Sequence, residues 1–394
     1  MLIHILRYAF CVTHFATYIC SMENPFLLSG YRSADHFCDR KEETKQILEA
    51  LSNGRNITLF SIRRMGKTGL IHHVLHQLEQ KNVQCFMFDI YATNTAQELT
   101  NLLGSRILGK ADSLPRKIAD GLKEFIRSFR PRITYDQLTG VPSVEFYLQQ
   151  EQPEITLTQI LSYLEEQGRQ VVIAIDEFQQ INQYPETNLE AHLRTHIQKL
   201  KNINFIFSGS ETNMLISMFN DAKRPFYQST QMLHLTTIPV DEYANFIMEW
   251  MNKGGKHISE EATHHLLKLT RTHTYYVQVI CNRLFASNQS EIGIQNVNDE
   301  LVKVLKENEY VYFNYRHILS EVQWKLLKAI AKDGEVRSFT SKDFLSRHGL
   351  GAASSVTRAL ESLSNKDMIN RFYDNDGKYY RVNDVFLEKW LQRS

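Results

Sequence analysis

The β-branched, largely apolar run Ile57-Thr58-Leu59-Phe60 stops at Ser61-Ile62-Arg63-Arg64-Met65-Gly66-Lys67-Thr68. A helix-patterned segment, Gly69 to Gln80, follows at once. Strand, tight turn ending in Gly-Lys-Thr, then helix is the context in which this motif builds a phosphate-binding loop. Backbone N–H groups of the turn and the positive end of the helix dipole surround an anion. Lys67 adds a point charge for the β- and γ-phosphates of ATP, and the Thr68 hydroxyl is a hard oxygen ligand for Mg²⁺. The pattern G-x-x-x-x-G-K-[ST] has Ser61 in place of its first glycine. A small residue still makes the turn if its φ stays negative. The competing reading is a plain strand–turn–helix corner with an exposed lysine.

A second segment weakens that competing reading. Val171-Val172-Ile173-Ala174-Ile175 ends in Asp176-Glu177, the pattern of a buried parallel strand that delivers two acids to the carboxyl edge of a sheet. Open α/β sheets bind ligands at that edge. Asp176 is expected to hold Mg²⁺, directly or through water. Glu177 is then placed to polarise a water for attack on the γ-phosphate.

Composition narrows the alternatives. With 394 residues, 43% of them apolar, the chain is long enough for two or three domains. A net charge of +1 makes no case for a nucleic-acid or acidic partner from the overall field. Cys11, Cys20, Cys38, Cys85 and Cys281 are scattered without a C-x-x-C pair, which fits a cytoplasmic protein and argues against a disulfide framework or a zinc site. His72, His73 and His76 share a helix without a completing Glu and read as a solvated face. Residues 1–21 are apolar and aromatic but interrupted by His4, Arg7 and His14. They make a poor signal peptide, and a central Arg7 would cost a membrane span about 2.5–3.5 kcal/mol. They are read as an extension preceding a natural start at Met22, with a weak membrane anchor as the alternative.

Predicted strands at 57–62, 83–90, 171–176, 203–210 and 232–238 are separated by helical patterns, as in a parallel α/β sheet. Asp39 is a plausible N-cap for a helix reaching Leu51, with Glu42 completing a capping box. The interval 95–168 suggests inserted helices broken at Pro131 and Pro142. The domains are then a core over 22–240, a helical lid over 241–315 with no strand, and residues 316–394. That last stretch reads as helices near Ser320–Lys332, Ser341–Arg347 and Ala352–Lys366, then a hairpin turning at Asp374-Asn375-Asp376-Gly377. Three helices and a hairpin make a winged helix.

In that order the pieces resemble the archaeal-type ATPases of the P-loop superfamily, close to the STAND signalling ATPases and the Orc/Cdc6 initiators of the AAA+ group. The resemblance runs from Met22 onward. It rests on Asn24-Pro25-Phe26, Phe37-Cys38-Asp39-Arg40-Lys41-Glu42, the Arg-Arg-Met-Gly-Lys-Thr loop, Ile175-Asp176-Glu177-Phe178 and Phe207-Ser208-Gly209-Ser210. It implies a P-loop NTPase sheet with the Ser208 strand between the P-loop strand and the Asp176 strand. It further implies a sensor of the γ-phosphate at Ser208, with Ser210 second, and contacts to the adenine and ribose from Asp39 and Arg40. The phosphates would be cradled by Ser61, Arg63, Arg64, Met65, Gly66, Lys67, Thr68 and Gly69. Relatives often carry an Arg after the aromatic of the element read here as Arg224-Pro225-Phe226-Tyr227-Gln228-Ser229. Without it, a charge-stabilising arginine would have to be Arg224 or Arg64. Thr272-His273-Thr274-Tyr275-Tyr276 stands where many relatives have Gly-x-Pro at a lid helix.

Two functions remain open at this level. One is an Mg²⁺-dependent ATP hydrolase acting as a nucleotide-driven switch. The other is a DNA-binding regulator in which ATP only sets conformation. Residues 316–394 hold 14 Lys and Arg against 10 Asp and Glu, a surplus of 4. The candidate recognition helix offers Ser354, Ser355, Thr357 and the single Arg358, thin for base readout. A protein partner for the winged helix is an equal reading, and the sequence leaves the oligomeric state unassigned.

Overall fold

The computed structural model describes residues 23–109, 129–135, 142–148 and 153–393, with side chains described over 23–107 and 157–393. Residues 1–21 lie outside the described residues. The chain divides into two compact units, Ser29–Thr237 and Ile238–Ser394 with the segment ending at Leu28.

In chain order the first unit runs α1 (Lys41–Ser52), β1 (Ile57–Phe60), α2 (Lys67–Glu79), β2 (Gln84–Asp89), α3 (Ala96–Gly109), β3 (Phe129–Tyr135) and β4 (Pro142–Leu148). It continues with α4 (Pro153–Glu166), β5 (Val171–Asp176), α5 (Leu189–Ile197), β6 (Ile203–Gly209), α6 (Thr212–Asn220) and β7 (Gln231–His234). Five strands form one parallel sheet in the order β2-β5-β6-β1-β7. The Ser208 strand therefore lies between the P-loop and Asp176 strands, as the resemblance implies. Helices cover both faces, so all six residues of β5 are buried. On one face Leu59, Ala174 and Ile206 pack with Leu70, Val74 and Ile47. On the other, Ile173, Phe205 and Phe207 pack with Leu99, Leu161 and Phe219.

Three local expectations change. Asp39 does not cap α1: Arg40 occupies the N-cap in a left-handed conformation (φ 63°), and no side chain caps the helix. The P-loop helix begins at Lys67 rather than Gly69, with Gly66 (φ 99°) as its N-cap. Pro131 and Pro142 do not break helices. They lie in a two-stranded antiparallel ladder, Pro131 opposite Phe146 and Tyr135 opposite Pro142. Each strand of a two-stranded ladder is an edge, where a residue without an N–H is tolerated.

The second unit contains α7 (Val240–Lys253), β8 (His257–Ile258), α8 (Glu260–Leu269), α9 (Thr274–Ala286), β9 (Glu291–Ile292) and the 25-residue α10 (Ile294–Ile318). After these come α11 (Glu321–Asp333), α12 (Lys342–Arg347), α13 (Ala353–Asn365), β10 (Ile369–Asp374), β11 (Gly377–Val382) and α14 (Val385–Arg393). The segment expected to lack strands carries the short parallel pair β8–β9, and α14 was not expected. Asp384 caps α14 by accepting from the N–H groups of Phe386 and Leu387, and Trp390 packs on Tyr312 and Trp324. Asn24-Pro25-Phe26 belongs here: the side-chain amides of Asn24 and Asn282 donate to the carbonyls of Asn282 and Phe26, each at 2.8 Å. Among the described residues no helix is long and apolar enough to cross a membrane.

Candidate functional site

β1 feeds the loop and α2 receives it. Ser61 is buried and lies outside the left-handed region, so it makes the turn as a small residue should. The left-handed positions are Arg64 (φ 63°) and Gly66 (φ 99°); Gly66 is where a side chain would be most strained. Lys67 is 6% exposed. Its ammonium donates to the carbonyls of Ser61 (3.0 Å) and Ile62 (3.2 Å) and to Ser61 Oγ (3.3 Å). The residue that departs from the pattern thus supplies a partner no glycine could. Burial pushes the Lys67 pKa below the ordinary lysine value; the charges of Asp176 and Glu177 oppose that shift and Arg63 adds to it.

At the carboxyl edge Asp176 is buried, and its two oxygens have different neighbours. Oδ2 accepts from Thr68 Oγ1 at 2.7 Å. Oδ1 accepts from Ser208 Oγ at 2.6 Å and from the Glu177 N–H at 3.1 Å. A hydroxyl and a carboxylate oxygen in contact at the head of a helix are the hard donors a small divalent cation takes, so Thr68 and Asp176 fit Mg²⁺. Among the described residues no group of three or more His, Cys, Asp and Glu side chains is arranged to hold a metal.

Glu177 turns the chain out of β5 in a left-handed conformation (φ 56°, ψ 40°). Its Oε2 accepts from Gln179 Nε2 (2.5 Å), Ser210 Oγ (2.9 Å) and the Ser210 N–H (3.2 Å). Arg63 reaches the same Ser210 hydroxyl at 3.4 Å. Of the two serines at the tip of β6, Ser208 is directed to Asp176 and Ser210 to Glu177.

Arg40 is 2% exposed, and its guanidinium donates to Glu43 Oε1 (2.9 Å), the Thr236 carbonyl (2.7 Å) and the Met65 carbonyl (3.3 Å). It therefore anchors the P-loop from below, with buried Met65 as the attachment point. Asp39, beside it, is half-buried. Gly69 sits in the first turn of α2 under the Phe37 ring. Arg224 pairs with Glu190 at 2.6 Å and also donates to Asn182, whereas Arg64 is exposed on the loop. The histidine face of α2 is not simply solvated: His73 stacks on Phe37 with ring centroids 4.4 Å apart and bonds Tyr31 Oη at 3.0 Å. Burial, with His76 nearby, holds its pKa below the usual histidine value. Gln179 carries no sequence signal beyond its adjacency to the two acids, and Gly209 enters only as part of the Phe207-Ser208-Gly209-Ser210 motif.

A parallel sheet in this strand order, with Gly-Lys-Thr at a helix head and two acids at the end of the strand one removed from the P-loop strand, defines a P-loop NTPase. The family profile described as an ATPase domain predominantly from Archaea matches residues 37–278, and the chain belongs to that family. A second profile, described as a probable winged helix domain, matches residues 310–393. Among solved structures, the Walker-type ATPase PABY2304 of Pyrococcus abyssi superposes with a TM-score of 0.65 at 19% identity, covering 93% of this chain and 99% of that one. The ORC2 protein of Aeropyrum pernix, solved as ADPNP–ADP complexes, gives 0.56 at 13% identity, over 94% and 98%. An uncharacterized WD repeat-containing protein of Synechocystis is 27% identical over 162 residues. That match spans 41% of this chain and 12% of the Synechocystis protein.

Proposed function

We propose that this chain binds ATP with Mg²⁺, hydrolyses it, and uses the cycle as a molecular switch in the cytoplasm. The observation that carries the reading is the meeting of Lys67, Thr68, Asp176 and Glu177 at one sheet edge, from segments up to 110 residues apart in sequence: Lys67 to Glu177. Lys67 exchanges its loop carbonyls for β- and γ-phosphate oxygens. Mg²⁺, when bound by Thr68 and Asp176, supplies positive charge that draws electron density from those phosphates. Ser208 holds Asp176 Oδ1, which leaves Oδ2 turned toward Thr68. Glu177 takes the proton of the water that attacks the γ-phosphorus, as the bond from that phosphorus to the bridging oxygen breaks to give ADP and phosphate. Arg40 acts on nucleotide through the loop it anchors, and Asp39 is the nearer candidate for the ribose.

The test is Glu177→Gln. The amide keeps the shape but is a far weaker base, so turnover falls by about 10²–10⁴-fold while ATP affinity is retained. Turnover at the wild-type rate would remove Glu177 from the chemistry.

A DNA-binding regulator is the second reading, favoured by the winged-helix match and by exposed Arg358 on α13. In the switch reading that domain reports nucleotide state instead, and hydrogen exchange within 316–394 differs between ATP- and ADP-loaded protein.

A further inference from the structure

The two carboxylate oxygens of Glu177 are treated unequally by their surroundings. Three donors fall on Oε2, from Gln179 Nε2, Ser210 Oγ and the Ser210 N–H. No donor among the described residues bonds Oε1. Three hydrogen bonds fill the lone-pair directions of one oxygen and fix the rotation of the carboxylate about its last bond.

Gln179 is held in this position at a cost. It is 4% exposed, and its own Oε1 has no hydrogen-bond partner. Burying an unpaired amide oxygen is unfavourable, and the charge-assisted bond from the other end of the amide to Glu177 offsets it. The reverse amide orientation would set two oxygens against each other. Space for the side chain exists only because residue 209 is glycine: a Cβ there would stand 2.0 Å from Gln179 Oε1 and 3.1 Å from its Cδ. Gly209 does not have a positive φ, so its backbone would accept an alanine, and the requirement for glycine comes from Gln179 alone.

We propose that Gln179 and Ser210 are positioning residues that clamp Glu177 by Oε2 and so dedicate Oε1 to receiving the proton of the attacking water. Gly209 is the vacancy that admits the clamp. Through its contact with Ser210, Arg63 ties the clamp to the phosphate loop. The inference rests on the assignment of Glu177 as the base, and the experiment separates the two.

Gln179→Ala removes one arm of the clamp. Gly209→Ala leaves Gln179 in the sequence but evicts its side chain. In full-length protein both should lower kcat by roughly ten- to a hundredfold, the scale of a misplaced catalytic group. Mg–ATP affinity, measured by titration calorimetry, should be unchanged. In the Glu177→Gln background neither should lower the residual rate further, because residues acting as one unit are not additive. If Gln179→Ala does not fold, as judged by circular dichroism, Ser210→Ala at its half-buried site supplies the same comparison. Unchanged kcat in these variants, alongside a large loss in Glu177→Gln, overturns the clamp and leaves the base assignment standing. Parallel loss of affinity and kcat, or losses that multiply in the Glu177→Gln background, also overturns it. Wild-type turnover in Glu177→Gln removes the base assignment itself.

Discussion

The two units use their charged groups in opposite ways. In Ser29–Thr237 the groups converge: Lys67, Thr68, Asp176, Ser208, Glu177 and Ser210 form one connected network at the sheet edge. In Ile238–Ser394 five arginines instead meet acids at scattered places. Arg337 bonds Asp374, Arg381 bonds Glu335, Arg347 meets Asp333 and Asp343, and Arg283 meets Glu300 and Glu307. Arg271 pairs with Glu388 at 3.2 Å and also donates to the Val382 carbonyl at 3.0 Å. Convergent groups leave a local field that a charged ligand can answer; cancelled pairs leave little field and act on packing. The first arrangement is suited to chemistry and the second to holding helices and a hairpin together.

The largest effect that would test this contrast is on stability in the second unit. Arg271 and Glu388 are 18% and 4% exposed, so Arg271→Ala takes the nearer cation from a buried carboxylate, leaving it Lys389 at 3.7 Å, and should cost up to about 3–5 kcal/mol. All three tryptophans, Trp250, Trp324 and Trp390, lie in this unit, so their fluorescence in a denaturant titration reports it selectively. Burial raises the Glu388 pKa, against the pull of Arg271 and Lys389. With the folded pKa above the unfolded one, the native state binds more protons between the two values, and stability falls as pH rises through that window. The Arg271→Ala deficit should therefore shrink as pH is lowered and Glu388 takes a proton. A deficit independent of pH would mean the pair is not what Arg271 contributes.

In the first unit the corresponding substitution acts on affinity. Lys67→Ala should weaken Mg–ATP binding by about 2–5 kcal/mol, the scale for truncating one partner of a buried charge pair, with the fold intact. Because burial lowers the Lys67 pKa and phosphate favours the ammonium, binding on the alkaline side should take up a proton and weaken as pH rises. Calorimetry in buffers of different ionisation enthalpy measures that uptake. Unchanged affinity would break the convergent half of the comparison.

The smallest effect is on nucleic acid. With the surplus of positive charge over 316–394 only 4 and Arg337, Arg347 and Arg381 paired with acids, the second unit should retain random duplex DNA weakly, and Arg358→Ala should change the salt slope by no more than about 0.9. A tight, sequence-selective complex would mean that the pairs open to meet phosphate.

Much of the framework was legible because its signals are local. Ile57–Phe60 followed by Gly66-Lys67-Thr68, the five-residue run before Asp176, and the hairpin turning at Asn375-Asp376 all lie within a few residues. Val356, Leu360 and Leu363, spaced at three and four residues along α13, are likewise buried, as an amphipathic helix dictates. The errors arose where a local rule met a neighbour from afar. Asp39 has the chemistry of a cap, but Arg40 occupies that position, bonded to Thr236 across the unit. Pro131 and Pro142 suit helix breaks equally well, until the ladder pairs the two strands.

The sequence alone singled out the residues proposed for the chemistry, since lysine, threonine and two acids at those spacings match a phosphate-binding loop and its acidic strand. Only the tertiary structure decided how each atom is used. Ser208 meets Asp176 across 32 residues of chain, and Ser210 meets Glu177 across 33. Gln179, in the turn after β5, fits because Gly209 at the end of β6 leaves room for it. Spacing along a chain sets which residues a strand edge carries, but the choice between two oxygens of one carboxylate depends on contacts within about 3 Å. Those contacts form only when the parallel strands align in register.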